Sequence, residues 1–239
     1  PDVVAAGGGK RKTLSDASDV TILELLLMGV LLLVIFATGL QSVPFHPDES
    51  RKIATTDCLE PFIRGDFTSE VWDESYWNLT HPPVGRYIIA LGRLSGGYGV
   101  ADLNRPWDFS VDDETNIRRG AIPSSGLLLW SRLPMVPLSV ASGLLLFVLT
   151  AALAGRVAGY AVVLLFSASA YFSEHLRRAM QEAPLLLGVL LVVLAGTYGL
   201  RSWERFTRER PISWKTLFRP LLWFTLMGTL AGLAGATKL

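Results

Sequence analysis

Charge is scarce in this 239-residue chain: Asp, Glu, Lys and Arg make up 18% of it, against about 25% in an average soluble domain. Cysteine is scarcer still. Cys58 stands alone, which excludes an intrachain disulfide and leaves helix packing to hold the fold. The three histidines, His46, His81 and His175, fall in no compact ligand spacing of the kind a structural zinc site shows. There is no internal repeat and no low-complexity tract. The formal net charge of +1 says little by itself, and no nucleic-acid partner is expected.

What is abundant is apolar length. Half of the residues are hydrophobic and the mean hydropathy is +0.38. The charges gather in a few stretches and leave others nearly empty, as a bilayer that excludes ions from its core requires. A helix needs about 20 mostly apolar residues to cross about 30 Å of hydrocarbon. Five runs are candidates: 21–40, 133–153, 157–172 (somewhat short), 184–200 and 221–236. The expected layout is a polar tail over 1–20, spans over 21–40, 132–155, 157–173, 184–200 and 220–239, and a long outer segment over 41–131. An outer turn over 174–183 and a basic loop over 201–219 complete it. Gly143, Ala151, Gly155, Gly159, Gly188 and Gly228 are the small residues expected to let helices approach closely.

Lys10, Arg11 and Lys12 precede the first run, while Arg201, Arg205, Arg208, Arg210, Lys215 and Arg219 crowd the segment between the fourth and fifth. Cytoplasmic loops retain such residues, so both segments are expected on the cytoplasmic side of a cell membrane, and Arg156 falls there too. The first run is too long for a secretory signal and lacks a small-residue cleavage site, so it reads as a retained helix. The Ala, Leu, Val and Gly bias favours a bacterial plasma membrane.

The outer segment is where chemistry could be done. Phe45-His46-Pro47-Asp48-Glu49-Ser50-Arg51-Lys52 is followed by Ile53, Leu59, Phe62 and Ile63 at roughly helical spacing. That predicts a short amphipathic helix on the membrane surface with Pro47 in its first turn. A second such helix begins at His81-Pro82-Pro83 and continues to about residue 92, too short to span. Residues 96–125, bearing Gly, Asp, Asn and Trp, read as loop.

The order of these parts carries a resemblance. His-Pro-Asp-Glu-Ser-Arg after the first span, then His-Pro-Pro-Val-Gly-Arg-Tyr, Arg132-Leu133, Arg178-Ala179-Met180-Gln181-Glu182-Ala183-Pro184 and Gly235-Ala236-Thr237-Lys238 together cover nearly the whole chain beyond the tail. The chain resembles the protein O-mannosyltransferase and aminoarabinose transferase group of the GT-C membrane glycosyltransferases. The resemblance implies an all-α integral membrane fold with juxtamembrane helices in its first outer loop. It also implies transfer of a sugar from a polyprenyl phosphate to a protein, lipid or glycan acceptor, with inversion at the anomeric carbon. Enzymes of the group carry more spans than these five. The chain is therefore expected to be the N-terminal half of a longer enzyme, or a shortened, inactive relative serving as an accessory or scaffold subunit beside other membrane subunits.

The resemblance also assigns roles. Asp48 is expected to be the base that takes the acceptor proton, with Glu49 beside it. Glu182 stands where relatives commonly place an Asp and is assigned to positioning the acceptor or assisting the base. Arg51, one helical turn from Asp48, matches the group's Asp-Glu-x-Arg arrangement and is expected to clamp the leaving phosphate. Arg178, and more weakly Arg177, are candidates for the same work. His81, at a position where relatives often have Lys, could take over a phosphate contact. The histidines share the outer side with these carboxylates, which permits a divalent metal. Against it, relatives place a Glu where this chain has Thr80, and no other cofactor is expected.

Plainer readings compete at each position. Acids in a first helical turn are favoured by the helix dipole alone, so Asp48 and Glu49 could be caps. Arg51 and Lys52 could bind lipid headgroups, and Arg177 could anchor a helix end. Tyr76, Trp77, Trp107 and Trp130 could stack on sugar or prenyl groups, though interface aromatics are usually belt anchors. A transporter would show more ionisable groups in its spans, where almost none occurs except Glu24, near the cytoplasmic end.

Overall fold

A computed structural model describes residues 20–73, 83–208 and 214–238, which form helices and turns with no strand among them. The first helix, α1 (Ile22–Ala37), starts at a capping box. Glu24 N donates to Thr21 Oγ1, and Thr21 N donates back to the Glu24 carboxylate. The segment expected to lie outside holds α2 (Pro47–Ala54), α3 (Leu59–Arg64), α4 (Pro83–Ser95), α5 (Asp113–Arg118) and α6 (Ser125–Arg132). Then follow α7 (Met135–Ala154), α8 (Arg156–Ala168), α9 (Ala170–His175), α10 (Glu182–Arg208) and α11 (Trp214–Lys238).

Among the described residues, three helices are long and apolar enough to cross a membrane: the α6–α7 rod Ser125–Ala154, α10, and Thr216–Thr237 within α11. Their exteriors agree with that reading. Leu221, Leu222, Leu226 and Leu233 of α11 are exposed, a surface that hydrocarbon tolerates and water does not. The expected runs over 21–40 and 157–172 give shorter helices of 16 and 13 residues, roughly 24 and 20 Å long at 1.5 Å per residue. Hydropathy does not register what ends them. Gly39 takes a left-handed φ of 69° after α1, and Ser169 is extended after α8.

Other boundaries also move. The expected first surface helix breaks at Thr55–Thr56, whose hydroxyls donate to the carbonyls of Arg51, Lys52 and Ile53 and so compete with helix continuation. Residues 96–125 hold α5, started by Asp112, whose side chain accepts from Thr115 N. α10 runs on into the expected basic loop, so Arg201, Arg205 and Arg208 are helical.

Two contacts fix the helix directions. Arg156 pairs with Glu24 at 2.8 Å, joining the starts of α1 and α8. At the opposite end, Arg177 donates to the Ile35 and Thr38 carbonyls of α1. The Arg177 guanidinium thus satisfies orphan carbonyls at a helix C-terminus, the anchoring role. Between the ends, Leu32, Phe36, Ile53, Ile89, Leu127, Met135, Phe147 and Phe166 form one core. Small residues act where expected at Gly143, Gly159 and Gly188; a Cβ on Gly188 would stand 2.8 Å from Ala234 Cβ, between α10 and α11. Gly155 is instead the turn between α7 and α8, at φ 93°, and Gly228 meets nothing within 4 Å.

Candidate functional site

The candidate residues gather around α2, an eight-residue helix whose faces have different fates. Its start is over-determined. Asp48 N donates to His46 Nδ1 at 3.2 Å, and His46 N donates to Glu49 Oε2 at 3.1 Å, with Pro47 in the first turn. Glu49, Ser50 and Ile53 turn inward and are buried.

Glu49 meets Arg132, and both side chains are fully buried. Arg132 donates Nε to Glu49 Oε1 at 2.8 Å and Nη2 to Oε2 at 2.7 Å, a two-pronged pairing. Arg132 Nη1 donates to the Leu40 and Val43 carbonyls, and Ala179 N donates to Glu49 Oε1 at 2.8 Å. One carboxylate therefore joins α2, the end of α6, the turn after α1 and the segment before α10. Glu49, expected to be catalytic, is enclosed by protein donors and serves as a cap and a node. Ser50 pins the neighbouring face, its hydroxyl donating to the Ala121 carbonyl at 2.6 Å while Asn104 Nδ2 donates to the Ser50 carbonyl.

Asp48, Arg51 and Lys52 occupy the remaining sides. Asp48 is partly exposed, with its carboxylate 3.6 Å from His46 Nδ1. Lys52 lies one turn further on, half-buried, within electrostatic reach of Asp48 and of Glu182 at the start of α10. Burial pushes the Lys52 ammonium down to about 8; the two carboxylates oppose that, and Arg86 and Arg51 add to it. Arg51 is turned the other way, donating Nε to the Trp107 carbonyl at 2.9 Å with its guanidinium 4.5 Å from the Phe109 ring centre.

The structure thus brings Asp48, Glu49, Lys52, Arg178 and Glu182 to one end of the bundle. Arg178 is buried, donating Nε to the Pro44 carbonyl at 3.3 Å and facing Glu174 at 3.5 Å. Arg86 of α4 donates to the Thr55 carbonyl and faces Asp57 at 3.7 Å. Asp57 itself is pushed up by burial against the pull of Arg86. His81, Tyr76 and Trp77 lie outside the described residues. Trp107 is buried against Phe45, and Trp130 packs on Gly96 of the turn after α4, so both serve packing. Among the described residues, no three His, Cys, Asp or Glu side chains converge as metal ligands would.

Sequence reasoning missed two parts of this cluster. Arg132 was legible as an arginine at the head of an apolar run and as part of the resemblance, but with no role, because its partner lies 83 positions away. Lys52 was legible through its i,i+4 spacing from Asp48, but Glu182 comes to it from α10. No protein-family model matches the chain, and no curated protein or solved structure matches it either.

Proposed function

We propose that this chain is a GT-C-type glycosyltransferase that uses a polyprenyl-phosphate sugar and works at the extracytoplasmic face of a bacterial plasma membrane. In this reading α1 and α8 also cross, giving five spans with the N-terminus and Arg201–Arg208 end cytoplasmic. The observation that carries the proposal is Asp48. It is a partly exposed carboxylate on a helix locked from behind by a buried ion pair, one turn from Lys52, which is also within electrostatic reach of Glu182.

The chemistry follows from those positions. The acceptor hydroxyl gives its proton to Asp48 as its oxygen forms a bond to the anomeric carbon, and the bond from that carbon to the phosphate oxygen breaks. The electron pair leaves with the polyprenyl phosphate, whose charge the positive field of Arg51 and Arg178 stabilises. Glu182 orients the acceptor. Glu49 does not touch substrate here; it and Arg132 hold α2 in place.

A second reading, an inactive accessory subunit of the same architecture, is favoured by one feature. Half of the acidic pair is spent on structure. Sugar transfer by membranes carrying the protein, supplied with labelled polyprenyl-phosphate sugars, separates the two. Asp48→Asn is expected to lower transfer by about 100-fold or more with normal expression. Equal activity of wild type and variant, or no transfer from any donor tried, would favour the accessory subunit.

A further inference from the structure

Three arginines at this end of the molecule are already held by the protein itself. Arg51 donates to the Trp107 carbonyl, Arg86 to the Thr55 carbonyl, and Arg178 to the Pro44 carbonyl; Arg86 and Arg178 also face carboxylates. Lys52 differs. Among the described residues its ammonium makes no hydrogen bond and has no carboxylate within 4.0 Å, although it is half-buried and within electrostatic reach of Arg86 of α4 and Glu182 of α10. An ammonium removed from water without a partner is costly, and an anion that arrives with its ligand relieves the cost.

We propose that Lys52 is the direct ligand of the donor's phosphate group, the one cation among the described residues of this site whose hydrogen bonds are reserved for substrate rather than for the protein. The inference rests on the transferase reading and assigns within it a contact that the arginines do not supply. Lys52 lies on the same face of α2 as Asp48, so a phosphate held there leaves the anomeric carbon beside the base. The acids that reach Lys52, Asp48 on its own helix and Glu182 from α10, keep it from binding a stray anion tightly. Arg51 and Arg86 oppose them, and the Asp57–Arg86 and Arg178–Glu174 pairs are internally balanced. The ammonium pKa of about 8 adds a signature: binding through it weakens as pH rises past 8, because the charged form is lost.

The test uses the full chain in detergent and farnesyl phosphate as the probe. Limited acylation of amines followed by peptide mass spectrometry reads the accessibility of Lys52. Farnesyl phosphate is expected to protect it, while inorganic phosphate and phosphatidylglycerol micelles at the same concentration do not. Lys52→Gln is expected to weaken farnesyl phosphate binding roughly tenfold or more. Lys52→Arg is expected to restore most of it and to remove the loss above pH 8, which a packing role for Lys52 would not do. Equal protection by phosphatidylglycerol would overturn the inference in favour of headgroup anchoring. So would unchanged affinity in Lys52→Gln. Protection without any sugar transfer by wild type would uphold the phosphate ligand while removing the transferase; transfer with an unprotected Lys52 would remove the ligand alone.

Discussion

An ion pair closes each end of the α1–α7–α8 bundle, and the two are built differently. Glu49–Arg132 is fully enclosed, and each partner has two further bonds to backbone groups: Glu49 accepts from His46 N and Ala179 N, and Arg132 donates to the Leu40 and Val43 carbonyls. Glu24–Arg156 sits at the other end with Arg156 half-exposed, its polar neighbours being Tyr160 and the α1 cap, beside an apolar groove of about 650 Å³ between α1 and α8. The same chemistry thus does two jobs. A buried pair with this many directed hydrogen bonds specifies one arrangement of four segments, whereas the half-exposed pair only joins two helix ends.

Breaking each pair sharpens the contrast. Arg132→Met strands the Glu49 carboxylate in the core and is expected to cost about 3–5 kcal/mol, seen as a large drop in the thermal midpoint of the detergent-solubilised protein. The double substitution Glu49→Met with Arg132→Met is expected to recover much of that loss; a double variant as unstable as the single one would show that the pair matters for more than its charge. Gly92→Ala attacks the same end without touching a charge. A Cβ there would stand 2.3 Å from the Trp130 carbonyl oxygen and 2.5 Å from Pro134, so α4 must shift from the α6–α7 junction, at a cost of about 1–3 kcal/mol by the same melt. Glu24→Gln is expected to change the midpoint least. A shift as large as that of Arg132→Met would erase the distinction between the two ends.

α2 repeats the lesson within eight residues. Its sequence alone marks an acidic first turn, a proline start and a basic end, which is why both a catalytic and a capping role were legible for Asp48 and Glu49. The structure divides the pair by rotation about the helix axis: Glu49 shares the inward face with Ser50 and Ile53, and Asp48 shares the other with Lys52. Pattern could not make that division, because the partner that draws Glu49 inward is on α6 and the neighbour that faces Lys52 is on α10.

By itself the sequence determined the all-helical membrane character, the placement of the longest spans and the segregation of charge, since each depends on local hydropathy and helix period. It also marked the α2 start, through Pro47 and the acids that follow. Only the tertiary structure decided which helices stop short, that Arg177 caps α1, that Trp107 is packing and that Arg132 completes Glu49. Those outcomes turn on single backbone torsions and on contacts between residues tens of positions apart, where burial removes water and makes the choice of partner decide the role of each charge.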